Sequence, residues 1–334
     1  MKILNINLDE EPLFIAEIGV NHEGSLQQAK KLMRLAKEAG YHAAKFQLYD
    51  TKNFLSNFFE ERVVRAESYA LSIDDYKELK KVSKDISLPI FASAISHTMI
   101  DFLAADGVIK VASGDIDFHH MLDKLARTDS KIIMSIGASN RDEIQSAINV
   151  IKSAAKVALN EKLILLVCTS LYPCPIESAN LARLTNLKEF GCRLGFSNHV
   201  LEEEAAFCAA SLGASVFEFH FTDTREGKTF HDHLLSFDPE MSTQMFSKIR
   251  NIRMALGSGE LTRSQAENEN YKMLRKGLIY SRDLKQGHVL GLEDISYARP
   301  AIHYSCNDTN KVFNRKLKTR VYSGDLVKDE DLFS

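Results

Sequence analysis

The sequence predicts an α/β protein: a (β/α)8 TIM barrel followed by a small β-rich domain. Three observations carry that expectation. Eight short apolar runs alternate with helical stretches over roughly 260 residues, the length and rhythm of such a barrel. The runs end in polar residues rather than in the Val, Ile and Leu of an ordinary barrel core. From Tyr271 the alternation stops, and short strand-like segments separated by turns take over.

Leu13–Gly19 is a continuous apolar run interrupted by Glu17, as a buried parallel strand reads. Val20–Gly24 is a turn. Ser25 caps an amphipathic helix that runs to about Ala39 and stops at Gly40. His42–Gln47 is the second strand, and an irregular stretch fills positions 48–72. The helix Ile73–Lys84 leads to the strand Leu88–Ser93. The helix His97–Ala105 leads to Gly107–Ala112, which ends in Ser113-Gly-Asp115. The helix at about Phe118–Ala126 leads to the strand Lys131–Ser135. Asn140 caps a long helix, Arg141–Ala158. Leu163–Cys168 is the sixth strand, and Ser178–Leu187 a short helix. Strands at Arg193–Ser197 and Ala214–Phe219 frame an Ala-rich helix, Leu201–Leu212. A last helix covers about Pro239–Leu256. The barrel is expected over residues 1–260, a polar linker over 261–270 and the small domain over 271–334.

Net charge is −3 with both signs interspersed, so no nucleic-acid surface is expected. No apolar run reaches the roughly 18–20 residues that span a bilayer, and the first residues lack a signal-peptide pattern. Five cysteines, odd in number and without zinc-site spacing, suit a reducing cytoplasm.

A charged Glu17 or Lys45 beside a barrel mouth costs several kcal/mol of desolvation, of order ~3–5, unless it is paired or used. Lys45 and Lys110, with Ser113, Ser135 and Ser197, make a cationic, hydroxyl-rich pocket suited to a phosphate. His199 and His220 each fall just past a strand end, where a barrel gathers its site. They are candidates to hold a divalent ion, the alternative being two imidazoles satisfied locally. Glu17 is a candidate acid/base or sugar-hydroxyl acceptor. The pattern suggests a metal-assisted barrel enzyme acting on a phosphorylated substrate.

Several motifs, spread in order over nearly the whole chain, resemble one family. They are Phe14-Ile-Ala-Glu-Ile-Gly-Val-Asn-His-Glu-Gly-Ser25, Lys45-Phe-Gln47, Lys110-Val-Ala-Ser-Gly-Asp115, Cys168-Thr-Ser-Leu-Tyr-Pro173, Gly195-Phe-Ser-Asn-His199 and Glu218-Phe-His-Phe-Thr222. The family is that of the N-acetylneuraminate (sialic acid) synthases, with the pseudaminic and legionaminic acid synthases. The tail, with Asp283-Leu-Lys-Gln-Gly287, Asp294-Ile295 and Ala298-Arg-Pro300, is similar to the family's antifreeze-like (SAF) domain.

The resemblance implies condensation of phosphoenolpyruvate with an N-acylated hexosamine, giving a nine-carbon 2-keto acid and phosphate with the help of Mn2+ or Mg2+. It implies Glu17, Lys45 and Lys110 as catalytic residues. Phosphoenolpyruvate would be held by Lys45, Lys110, Ser113, Ser135, Ser170, Tyr172 and Ser197. Gln47, Asp115, Asp232 and Arg299 would contact the acceptor sugar, and His199 and His220 would bind the metal. Arg299 would reach the neighbouring subunit's site, which implies a domain-swapped homodimer.

The chain departs from the family pattern in places. Ala94 and Ile136 stand where the family has hydroxyl residues, so two hydroxyls expected near phosphoenolpyruvate are missing. Asn198 replaces an acid beside the metal, Phe219 replaces a basic residue, and Phe230-His-Asp232 replaces Gly-Pro-Asp. Two alternatives follow: a polysaccharide-biosynthesis relative of spore-coat type with another acceptor, and a non-catalytic sugar-binding paralogue.

Overall fold

The computed structural model describes residues 1–56, 58, 60–229 and 231–333, with the backbone alone at position 231. The chain divides into two compact units, Met1–Gly257 and Ser258–Ser334.

The larger unit opens with a hairpin, β1 (Lys2–Ile3) and β2 (Ile6–Asn7). Eight parallel strands follow: β3 (Leu13–Gly19), β4 (Ala43–Leu48), β5 (Ile90–Ala94), β6 (Val108–Val111), β7 (Lys131–Ser135), β8 (Leu163–Val167), β9 (Arg193–Asn198) and β10 (Val216–His220). They pair in sequence order, and β10 closes on β3, so the sheet is a complete barrel. All eight expected strands are present, with ends that move by a residue or two.

Two of the helices between strands are shorter than their patterns suggest, whereas Ile73–Asp85 forms in full. Arg141–Ala154 and Leu159–Lys162 replace the single long helix expected there. Glu204–Ser211 is all that forms of the Ala-rich segment. Positions 48–72, read as irregular, hold two helices, Thr51–Phe54 and Glu60–Tyr69. The second has no buried residue, which is why its apolar pattern was too weak to read.

Side chains alternate across each strand with a period of two. Leu13, Ile15, Ala43, Phe91, Ile133 and Leu166 point inward and fill the barrel, with Met1, Ile3 and Leu8 of the hairpin segment beneath them. Phe14, Phe46, Ile109, Met134, Val167 and Phe217 point outward into the layer beneath the helices. Each fully buried side chain of this kind contributes about 1.5–3 kcal/mol. Gly195 is the inward position where no side chain fits. A Cβ there would lie 2.4 Å from the Val216 carbonyl oxygen and 2.5 Å from Leu166.

The smaller unit has an antiparallel pair, β11 (Gly277–Tyr280) and β12 (Ile295–Ala298). Its own core includes Leu278, Tyr280, Leu290, Val312 and Leu317. Asp294 is wholly buried and held by Arg282, His288 and the Gly291 amide. The polar stretch read as a linker carries the helix Gln265–Leu274, started by a Ser264–Glu267 capping box.

Candidate active site

The inward phase of each strand continues past the apolar layers to its C-terminal end. There Glu17, Lys45, Ser93, Lys110, Ser135, Ser197, Glu218 and His220 meet in one cavity of about 750 Å³, a volume typical of small-molecule sites. Gln47, Ser113, Asp115, Ser170, Tyr172, His199 and Asp232 line the same cavity. Thirteen of the fourteen residues singled out in the sequence therefore converge. The fourteenth, Arg299, is an exposed residue of the smaller unit.

Strand register explains the closest contacts. Glu17 is opposite Lys45 on one side and His220 on the other, and Glu218 is opposite Ser197. Lys45 Nζ lies 2.7 Å from Glu17 Oε2 and 3.8 Å from Glu218 Oε2, and donates to Ser93 Oγ at 3.3 Å. Gln47 donates to the other Glu17 oxygen at 3.2 Å, and Ser197 Oγ donates to Glu218 at 2.8 Å. Lys110 donates to Ser135 Oγ at 2.6 Å and to the Val111 carbonyl at 2.8 Å.

Burial separates these groups electrostatically. It raises the Glu17 carboxyl above the usual range, and the neighbouring Glu218 charge adds to that against the pull of Lys45. Burial acts to raise Glu218 too, but Lys45, Lys110 and the Ser197 hydroxyl outweigh it and leave it lowered. Desolvation works against charged Lys45, yet its two carboxylates hold it above the ordinary lysine value. Lys110, with no such pair, is pushed down by burial. The floor thus holds one carboxyl suited to carrying a proton and one suited to staying ionised.

A second cluster forms where β7 and β8 end. The Gly137 amide donates to Ser113 Oγ at 3.0 Å, and Ser113 Oγ lies 3.2 Å from Cys168 Sγ. A Cβ on Gly137 would sit 2.3 Å from Ser170 Oγ and 2.8 Å from Ser113 Oγ. The missing side chain is what lets these hydroxyls come together.

The two histidines stand side by side, ring centroids 5.5 Å apart, with the Tyr172 ring 4.1 Å from that of His199. His199 Nδ1 is 2.7 Å from the Thr169 carbonyl oxygen. A carbonyl only accepts, so the ring proton is on Nδ1 and Nε2 carries the lone pair. Burial keeps both rings neutral, lowering His199 and taking His220 to about 4. Nδ1 of His220 is buried with no hydrogen-bond partner among the described residues. Two neutral imidazoles, one with an orphaned nitrogen, fit a divalent ion. Among the described residues no group of three or more His, Cys, Asp or Glu side chains is arranged around such a point. An ion here would complete its coordination with water or substrate oxygens.

Asp232 enters from the short helix His231–Leu235. Asn21 Nδ2 anchors that helix from β3's turn, donating to Ser236 Oγ at 2.8 Å and the Phe221 carbonyl at 2.9 Å. His233 bridges Thr222 Oγ1 and Glu23 Oε1 at 2.8 and 3.1 Å. Phe230 lies outside the described residues.

Four of the departures from the family pattern, at Ala94, Ile136, Asn198 and Phe219, fall away from the cavity. Ala94, Ile136 and Phe219 belong to the outward layer, Phe219 stacked on Phe237 at 4.8 Å. Asn198 turns onto the Val200 backbone, donating at 2.9 Å and accepting at 3.1 Å. The expectation that Ala94 and Ile136 remove pocket hydroxyls is therefore corrected: each is one residue out of phase with Ser93 and Ser135, which do face the cavity. The sequence places Glu218 among the polar strand ends without giving it a role, and it gives none to Gly137, Cys168, Arg62 or Arg65, all at or lining the cavity. Strand parity puts Glu218, two residues before His220, on the same inward face.

Residues 32–261 match the model of the NeuB family, and residues 275–332 match that of the SAF domain. An uncharacterized protein of Methanocaldococcus jannaschii is 34% identical, over 96% of this chain and 95% of that one. The N,N'-diacetyllegionaminic acid synthase of Campylobacter jejuni is 31% identical, over 96% of this chain and all of its own length, 100%. A crystal structure of N-acetylneuraminic acid (sialic acid) synthetase from Leptospira borgpetersenii, in complex with citrate, superposes with a TM-score of 0.75 at 27% identity, covering 81% of this chain and 94% of that one. Further relatives are named as a pseudaminic acid synthase of Campylobacter jejuni and the N-acetylneuraminate-9-phosphate synthase of Homo sapiens, so that several are synthases of nonulosonic acids. No helix among the described residues is long and apolar enough to cross a membrane. A family match over well over half of the chain, on a barrel whose strand ends carry that family's motifs, shows that this protein belongs to the NeuB family.

Proposed function

We propose that this chain is a nonulosonate synthase that condenses phosphoenolpyruvate with an N-acylated hexosamine, releasing phosphate by C–O cleavage. The observation that carries the reading is the cavity floor. Two buried lysines and converging hydroxyls suited to a small phosphorylated anion lie beside Glu17, a carboxyl that burial raises above its usual range.

In this reading Lys45, Lys110, Ser113, Ser135, Ser170, Tyr172 and Ser197 bind phosphoenolpyruvate. Its enol carbon attacks the open-chain aldehyde of the sugar, forming the new C–C bond. Glu17 supplies the proton to the aldehyde oxygen. Water adds at the resulting oxocarbenium carbon and gives up a proton. The tetrahedral intermediate then expels phosphate, leaving the 2-keto acid. Gln47, Asp115 and Asp232 orient the acceptor, and Glu218, held by Ser197, keeps Lys45 in place. His199 and His220 would hold Mn2+ or Mg2+, which when bound polarises the aldehyde. Arg299 would serve the site of a second subunit in a domain-swapped homodimer. Five cysteines with free thiols suit a cytoplasmic enzyme.

The test is phosphate release from phosphoenolpyruvate with Mn2+ and a panel of N-acylated hexosamines, including N-acetylmannosamine and 2,4-diacetamido-2,4,6-trideoxymannose. Acceptor-dependent release abolished by EDTA is expected. Failure of phosphoenolpyruvate to bind at all would sink the reading.

A further inference from the structure

Two arginines at the cavity take no part in the reaction above. The helix Glu60–Tyr69 lines the cavity with Arg62, Arg65, Ala66 and Tyr69, a spacing that puts all four on one face. The Tyr49 hydroxyl, just past β4, donates to the Ala66 carbonyl at 2.9 Å. At the helix's end, a Cβ on Gly24 would lie 2.4 Å from the Ser68 carbonyl oxygen, so the turn after β3 packs against it. The helix is therefore fixed over the ends of β3 and β4.

No residue of this helix is buried and both arginines are exposed, so burial in a core does not explain their place at the cavity. Two cations three residues apart on one face repel each other. Arg65 has no carboxylate within ion-pair distance among the described residues. On the floor, by contrast, Lys45 is matched by Glu17 and Glu218. The lysines and hydroxyls there already suit the small anion, and the sugar's aldehyde must meet it. The other end of the sugar then points to the mouth.

We propose that Arg62 and Arg65 form an anion subsite at the mouth, which takes a phosphate or carboxylate on the acceptor sugar at the end away from its aldehyde. The acceptor is thus an anionic N-acylated hexosamine. The identity of the sugar rests on the synthase reading; the subsite rests on the helix face. Guanidinium groups suit this task because their donors match two oxygens of one anion at once.

The experiment compares kcat/KM for N-acetylmannosamine, its 6-phosphate and N-acetylmannosaminuronic acid, in the parent chain and in Arg62→Met and Arg65→Met. The expected result is a preference for an anionic sugar that falls about 10- to 100-fold in each variant. Whether the 6-phosphate or the uronic acid is preferred identifies the anion. Equal use of the neutral sugar, with a ratio that neither variant changes, overturns the proposal while the synthase reading stands. So does a rise in KM for phosphoenolpyruvate alone. Thermal shifts follow binding without turnover. Stabilisation by an anionic sugar, lost in Arg65→Met but with no phosphate released, supports the subsite and sinks the synthase reading.

Discussion

Lys45 Nζ and Glu17 Oε2 lie 2.7 Å apart at the floor of the cavity, with side chains only 5% and 3% exposed. The contact comes from register, because Glu17 on β3 and Lys45 on β4 are direct neighbours across the sheet. Glu218 closes the group from the other side. A charged trio of this kind is costly to assemble, and removing its single cation leaves two carboxylates facing each other.

Lys45→Ala should therefore abolish phosphoenolpyruvate turnover and lower stability by about 3–5 kcal/mol. The double variant Lys45→Met/Glu17→Gln should recover most of that stability and none of the turnover. Urea unfolding and phosphate release separate the two effects. Full stability in Lys45→Ala would mean the pair is not coupled as its geometry indicates.

Gly137→Ala should raise the KM for phosphoenolpyruvate at least about tenfold, with a stability loss of about 1–3 kcal/mol. Its methyl would displace the Ser170 and Ser113 hydroxyls, 2.3 and 2.8 Å from where it must sit. An unchanged KM would show that these hydroxyls do not hold the substrate.

Mn2+ should raise the melting temperature of the parent chain and not that of His199→Ala/His220→Ala. At a hundredfold excess over Kd, the expected stabilisation is about 2.7 kcal/mol. Calorimetry over a manganese titration checks this without reference to turnover. An equal shift in the double variant would move the ion elsewhere.

Asp115 supplies the pH dependence. Burial raises its carboxyl to about 6, so between its ordinary value and about 6 the folded chain holds a proton that the unfolded chain has lost. Stability contributed at this site is present below the ordinary value and declines as pH rises to about 6. Asp115→Asn should remove that decline and stabilise the protein at pH 7 by about 1–2 kcal/mol. If the ionised form grips the acceptor, kcat/KM for the sugar should fall below about pH 6, and the inflection should vanish in Asp115→Asn. Chemical denaturation and acceptor kinetics across that range test both.

Much of this was legible from local rules. Eight apolar runs with polar tips sufficed for the barrel, because strands buried on both faces need continuous apolar residues and barrel sites gather at strand C-termini. Parity along a strand would have gone further: it separates Ser93 from Ala94, Ser135 from Ile136 and Glu218 from Phe219. The helix Glu60–Tyr69 was not legible, because a helix with no buried face shows no apolar stripe. Glu23, His233 and Asn21 were not either, since their partners are about 200 positions away.

The sequence by itself determined the fold, the order of the strands and which residue types reach their ends, because those follow from burial and a period of two. Only the tertiary structure decided which of those ends touch. Barrel closure brings β10 beside β3, and so His220 beside Glu17. It also surrounds Lys45 with two carboxylates; loss of water raises Glu17, while Lys45, Lys110 and the Ser197 hydroxyl outweigh the same loss at Glu218 and lower it. Proton affinities of this kind belong to an arrangement of charges in a dry cavity, and no single stretch of chain contains one.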